Sequence, residues 1–248
     1  MTAPRFYCPP PLHAGDLFEL PPTAAHHASR VLRMRINDAV HLFDGEGNEL
    51  RGNICEISGK RVFLENLQPC TEQRESPLNI VLAQAMCGSD KMDWVMQKAT
   101  ELGANEIQPV QTQRSVAKLS AERATKRAEH WRSVTIAACE QCGRNTLPRI
   151  HPPQEFSAWL AKIRATPGSK YILLPQGSTT LHQQPKPLGK ITLLIGPEGG
   201  FTEGEGQLAL DVGFTSIRLG TRWLRTETAA MASIAAAQTL WGDFGDVI

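Results

Sequence analysis

The sequence lacks any apolar run long enough to cross a bilayer: uncharged stretches such as Thr228 to Trp241 fall short of the roughly 20 residues a spanning helix needs. The amino-terminal MTAPRFYCPPPLHAGDLF has no continuous apolar core of the kind a secretory signal carries. Both absences predict a cytoplasmic protein with no membrane partner. A surplus of one charge is missing too. With 26 Lys and Arg against 25 Asp and Glu the formal net charge is +1, and no tail of like charge is present, so attraction to a polyanion has to come from a local basic surface. Cysteine is sparse and irregularly spaced, at 8, 55, 70, 87, 139 and 142, which excludes a disulfide scaffold. Cys139 and Cys142 form a C-E-Q-C pair, but no second pair stands at zinc-ligand spacing, and a redox pair belongs at a helix amino terminus rather than late in a helical run. No metal is expected. Internal repeats are absent, as is the GxxxxGK[ST] of a phosphate-binding loop.

What is present is a globular composition, 41% hydrophobic and 21% charged, with room for one large or two ordinary domains. From Met1 to about Gln73 the apolar alternations AVHLF, ELRGNICEI and RVFLENL are separated by DGEGN and SGK, which read as hairpin turns and predict a small antiparallel barrel or sheet. The polar CTEQRESP reads as a linker, which places the expected domains at 1–73 and 74–248. Beyond it the rhythm is strand, helix, strand. LNIVLAQA, EIQPV, KYILLP, ITLLI and FTSIRL are the strands. Of the helices, one is capped by Ser89 or Asp90, one runs from Ser120 to about Gln141, one starts at Thr202 with a T-x-x-E capping box, and the last, the alanine-rich ETAAMASIAAAQTLW, is capped by Thr226. Such alternation predicts an α/β domain with a largely parallel sheet.

Ligands of open α/β sheets sit beyond the carboxyl ends of strands, and three apparent strand ends here carry unusual loops: LLPQGS, LLIGPEGGF and RLGTRWLRTETA. The glycines at 196, 199 and 200 let backbone approach a ligand and turn its N–H groups toward it. A dinucleotide fingerprint can almost be forced from Gly204, Gly206 and Ala209 with Glu227 beyond, but Gly204 falls inside the helix that Thr202 begins, so the match is accidental. Arg222 and Arg225 beside Glu227 suit an anionic or developing-anionic substrate group. Two basic stretches bear on a nucleic-acid partner. RVLRMR carries Arg30, Arg33 and Arg35, while residues 114 to 132 hold six Lys or Arg against two Glu, for which a solvated helix face is an equally good account.

Taken together, these segments resemble a known family, the bacterial 16S ribosomal RNA uridine N3-methyltransferases of the SPOUT superfamily, called ribosomal RNA small subunit methyltransferase E. The resemblance rests on HHASRVLRMRINDAVHLFDGEGNE, DKMDWVMQKATELGANEIQPVQTQRS, AACEQCGRN, LLIGPEGGFTEGE and LGTRWLRTETAA, the last two being the most specific. It implies a PUA-like RNA-binding β-barrel over 1–73, then a SPOUT α/β domain over 74–248 whose carboxyl-terminal chain is tied in a trefoil knot. It also implies a homodimer, 16S rRNA as partner within the small ribosomal subunit, and S-adenosyl-L-methionine as methyl donor. Carried over, the donor shell is Leu174, Ile195, Gly196, Glu198, Gly200, Leu219, Gly220, Leu224, Thr226 and Ala229, and the RNA contacts are Arg30, Arg33, Arg35, Arg114, Arg144 and Arg222. Asn37-Asp38 stands where the family usually has Gly-Asp, and Gly88 replaces a commonly basic position.

The reaction so implied moves a methyl group from a sulfonium to N3 of a uracil. N3 is a weakly acidic imide, so its proton must be removed or polarised and charge on the ring carbonyls stabilised. Arg225 is assigned to the developing anion, and Glu198 or Glu227 to proton removal or substrate orientation. Two rivals remain open at this point: a non-catalytic RNA-binding assembly protein, and a nucleotide-dependent oxidoreductase.

Overall fold

The computed structural model describes residues 3–116 and 121–245. The chain forms two compact units, Met1–Glu75 with Ile136–Leu147, and Ser76–Thr135 with Pro148–Ile248. The first boundary lies close to the polar linker, but the Ile136–Leu147 excursion had no signal in the residue pattern.

The first unit is a five-stranded sheet built from β1 (Arg5–Tyr7), β2 (Gly15–Glu19), β3 (Ala39–Phe43), β4 (Glu49–Ser58) and β5 (Arg61–Pro69), in the order β1-β3-β4-β5-β2. Both predicted hairpin turns are there. Asp44 Oδ1 accepts the N–H groups of Glu46 (2.8 Å) and Asn48 (3.1 Å), which pins the β3–β4 turn. The sheet is not wholly antiparallel, because β1 runs parallel to β3. Phe6, Val40, Leu42, Ile54, Val62 and Leu64 fill one core. A short helix, α1 (Pro22–His26), passes into a wider turn in which the Leu32 N–H donates to His27 O, five residues back. Arg30, Arg33 and Arg35 follow on this stretch; Arg33 is exposed, as is Val31 beside Arg30. Asn37 takes φ 74°, a left-handed conformation that asparagine tolerates better than most residues, which accounts for its exchange with the family's glycine.

The second unit follows with β6 (Asn79–Ala85), α2 (Ser89–Glu101), β7 (Glu106–Gln111), α3 (Ala121–Cys142, which from Ile136 onward belongs to the first unit), β8 (Arg149–Ile150), β9 (Gln154–Glu155), α4 (Phe156–Ile163), β10 (Ser169–Leu173), β11 (Lys190–Ile195), α5 (Glu203–Asp211), β12 (Thr215–Ile217) and α6 (Thr226–Trp241). Its sheet has the order β12-β10-β11-β6-β7-β8, with β9 also on β7, and every pairing is parallel. Alternate residues of one strand serve opposite faces: Ile80, Leu82 and Leu193 pack with Met96, Ile234 and Ala237, while Ala83, Ala85 and Leu194 pack with Trp159, Leu160 and Phe214. Helix α2 starts at Ser89 behind Gly88, which makes no side-chain cap, rather than behind Ser89 or Asp90. Ser120, expected to open α3, lies outside the described residues. α5 carries the predicted capping box, with Glu205 N–H on Thr202 Oγ1 (3.2 Å) and Thr202 N–H on Glu205 Oε2 (2.9 Å). Gly204 sits inside α5. Among the described residues no helix is long and apolar enough to cross a membrane.

One crossing shapes the carboxyl-terminal part. The Leu174 N–H donates to Ile217 O (3.0 Å) and the Arg218 N–H to Thr179 O (2.9 Å), and Gly177 abuts the backbone of Ile217 and Arg218 so closely that a β-carbon would not fit. Past this crossing α6 returns to pack on β11, β6 and α2.

Candidate active site

Because β12, β10 and β11 are parallel neighbours, the loops after Leu173, Ile195 and Ile217 leave from one end of the sheet. They enclose a cavity of about 700 Å³. Leu174 lines it from the first loop. Ile195, Gly196, Glu198 and Gly200 line it from the second, Leu219, Gly220 and Leu224 from the third, and Thr226 and Ala229 from the head of α6. All ten residues expected to hold the methyl donor therefore face one space. The volume suits a drug-sized ligand, and the walls join aliphatic side chains to glycine backbone.

The loop geometry follows from its residues. Gly200 has φ 68°, and its N–H closes a turn on Pro197 O (2.9 Å). A β-carbon at Gly196 would meet the Phe201 ring at 3.1 Å. Thr226, expected as the cap of α6, is instead its first residue, with Arg225 in the cap position. Its buried hydroxyl donates to Gly196 O (2.5 Å) and accepts from Gln84 Nε2 (2.9 Å), tying the GPEGG loop and the end of β6 to α6.

Charge is arranged around one ammonium. Lys91 Nζ, which also lines the cavity, stands 3.0 Å from Glu198 Oε1 and 3.9 Å from Glu227 Oε2. Burial pushes the Glu198 carboxyl up, but bonds from backbone N–H groups, Gly88 among them, and from Lys91 outweigh it and hold the pKa below the usual range. The hydrogen bond to Glu198 raises the Lys91 pKa, so the ammonium stays charged. Glu227 Oε2 is buried and accepts no hydrogen bond from a described residue. Beside them, burial pushes the Cys87 thiol up to about 12, leaving it protonated. Lys91 was missed in the sequence: the DKM stretch served as a landmark, with nothing in its spacing to say that Lys91 faces the GPEGG loop. Gly88 shows no demand for glycine, at φ −53° and with room for a β-carbon, which would stand 3.8 Å from Glu198 Oε1; the cation that faces Glu198 here comes from Lys91, one turn along.

The arginines divide. Arg222 and Arg225 are on the cavity wall, and neither pairs with a described carboxylate. Arg114 also lines the cavity and gives one N–H to Gly199 O (2.9 Å). Arg144 departs from expectation. It is buried in the first unit, with Nη2 on Glu75 Oε2 (2.7 Å) and Nε on both carboxylate oxygens (3.1 Å), so it is a structural ion pair and not an exposed contact for RNA. In the C-E-Q-C pair, the bond from Cys142, with burial, raises the Cys139 pKa. His41, Glu49 and Cys70 of the first unit bring ligand-type atoms within 4.8 Å of one another, but Glu49 is already bonded to Arg5, a guanidinium that competes with any metal ion.

Comparison with known proteins agrees with this picture. Residues 74–238 match the family model described as RNA methyltransferase domain, and residues 20–65 that described as RNA methyltransferase PUA domain. A ribosomal RNA small subunit methyltransferase E of Buchnera aphidicola is 32% identical over 97% of this chain and 95% of its own. The solved structure of a ribosomal RNA small subunit methyltransferase E of Neisseria gonorrhoeae bound to S-adenosylmethionine is 41% identical, with a TM-score of 0.91 over 98% of this chain and 100% of the other. A methyltransferase of Legionella pneumophila, solved with the same cofactor, is 38% identical, with a TM-score of 0.92 over the same shares. The fold is that of a SPOUT α/β domain together with a PUA-like unit. The chain belongs to the ribosomal RNA small subunit methyltransferase E family of RNA methyltransferases.

Proposed function

We propose that this chain transfers the methyl group of S-adenosylmethionine to N3 of a uridine in 16S rRNA of the small ribosomal subunit. The observation that supports it most is the meeting of the ten donor-shell residues in one cavity whose rim carries Arg222 and Arg225. When bound, the sulfonium supplies an electrophilic methyl group and leaves as the neutral thioether, S-adenosylhomocysteine, so no metal is required. The chain's own residues then have three tasks. Arg225, free of any described carboxylate, meets charge spreading onto the uracil carbonyls as N3 loses its proton. Of the two carboxylates, Glu198 is the weaker base because Lys91 and backbone N–H groups already occupy it, which leaves Glu227, with an unused acceptor, better placed to take the N3 proton. Lys91 holds Glu198 in place and so keeps the GPEGG loop against α2.

The same reading assigns residues 1–73 to a PUA-like RNA-binding domain and 74–248 to the methyltransferase domain, with Arg30, Arg33 and Arg35 on phosphates. It makes the protein a cytoplasmic homodimer, which light scattering at micromolar concentration would report as twice the chain mass. Calorimetry separates the rivals: binding of S-adenosylhomocysteine without NAD is expected, while binding of NAD, or of RNA with neither nucleoside, would overturn the assignment. Mass mapping of 16S rRNA from a deletion strain should show one uridine lighter by a methyl group, restored with the gene.

A further inference from the structure

The loop after β12 presents its side chains unequally. Leu224 is half-buried and Thr226 is buried, whereas Trp223 between Arg222 and Leu224 is 82% exposed while lining the same cavity. Three of the other tryptophans, Trp131, Trp159 and Trp241, are nearly fully buried, and Trp94 is 42% exposed. Among the described residues Trp223 stacks on no ring, lies under no cation, and its indole N–H meets no acceptor. A side chain that can bury 150–250 Å² contributes nothing to the core from such a position, so its surface is left for something outside the chain. What surrounds it is cationic: Arg222 and Arg225 flank it in the loop without a described carboxylate partner, and Arg114 lies on the same wall. A flat π-face among guanidinium groups matches an unstacked base on a phosphate backbone and matches an apolar protein surface poorly.

We propose that Trp223 is the stacking platform for the uracil drawn out of the RNA, holding it by its π-face at the cavity mouth while Arg222 and Arg225 meet its backbone and carbonyls. This rests on the function proposed above: a uracil whose N3 is to meet the donor must leave its stack, and stacking on indole returns part of what that costs. The residue then sets which strand geometry is accepted, without reading base identity, because every base offers a π-face.

The test uses the full chain saturated with S-adenosylhomocysteine. Fluorescence of the wild type minus that of Trp223→Phe isolates the Trp223 signal, which should be quenched by a short oligouridylate and not by an abasic ribose-phosphate oligomer of equal charge. Trp223→Ala should weaken oligouridylate binding about tenfold and Trp223→Phe should recover most of it, with S-adenosylhomocysteine affinity unchanged and the loss in rRNA methylation carried by KM. Equal quenching by the abasic oligomer, or unchanged RNA affinity and kcat/KM in Trp223→Ala, would overturn the platform. So would a Trp223 signal already shielded from acrylamide in the free protein with a fall in mass for Trp223→Ala, which would assign the indole to a contact between copies. A wild type that shows the base-dependent quench but methylates no rRNA would overturn the functional reading and leave the platform standing.

Discussion

Thr226 and Arg225 are adjacent in sequence and opposite in task. The Thr226 hydroxyl bonds Gly196 O and Gln84 inside the fold, so Thr226→Val takes that partner from a half-buried carbonyl and from one N–H of the buried Gln84 amide, which keeps its bond to Ala85 O. A loss of about 1–3 kcal/mol in urea unfolding is expected, together with weaker S-adenosylhomocysteine binding, because the GPEGG loop loses its tie to α6. Arg225 makes no bond to a described carboxylate, so its removal should spare both properties. Arg225→Ala is expected to cut turnover by roughly 10²–10³ with donor affinity unchanged, and Arg225→Lys to recover only part, since an ammonium lacks the planar fork. Loss of donor binding in Arg225→Ala, with single-turnover chemistry intact at saturating donor, would place the guanidinium in the donor shell instead.

Between elements, one carboxylate joins three of them. Glu106 on β7 takes Lys190 Nζ of β11 at 2.5 Å and His151, beyond β8, at 2.7 Å. Burial raises the Glu106 pKa, but the bonds from Lys190 and His151 outweigh it and the net shift is downward. A carboxylate with a folded pKa below its unfolded value stabilises the fold above the unfolded value, about 4.3, and loses that contribution as pH falls through the folded one. Glu106→Gln should therefore lower unfolding free energy by about 1 kcal/mol near neutral pH and by progressively less as pH falls below about 4.3; a loss that does not change with pH would assign the effect to packing. At this scale the sequence was most informative. Strands β6, β7, β10, β11 and β12 and the capping box of α5 were legible because periodicity and caps are local signals. Helix α4 went unread, since the Gln154–Ile163 stretch is short and its cap is a glutamate, Glu155, accepting from Ala158 N–H at 2.9 Å. The three strand-end loops were legible in the residues, and the full set of ten that line the cavity was named through the resemblance. Lys91 and the burial of Arg144 were not, because each depends on a partner far away in sequence, Glu198 and Glu75, that no spacing rule connects.

For the whole molecule, RNA affinity is expected to divide between charge in the first unit and the cavity wall in the second. Alanine at Arg30, Arg33 and Arg35 together should leave S-adenosylhomocysteine binding intact, weaken RNA binding, and reduce the slope of log affinity against log salt by about 2, as three lost contacts to single-stranded phosphates require. An unchanged slope would remove phosphate contact from their role. The first unit also has a history written into its chain order. Its sheet is latched by residues made much later: the Tyr7 N–H rests on Glu140, Glu75 on Arg144, and the Gly47 N–H on Asn145 O. Between the last strand of that sheet and this latch the ribosome must make the whole of Ser76–Thr135, which belongs to the other unit and takes roughly 3–12 s at ordinary elongation rates. A nascent chain paused before Ile136 thus holds all five strands of the sheet while the Tyr7 and Gly47 N–H groups and the Glu75 carboxylate still lack these partners. The amino-terminal unit is first to be begun, yet its last segment is made only when the middle of the protein has emerged.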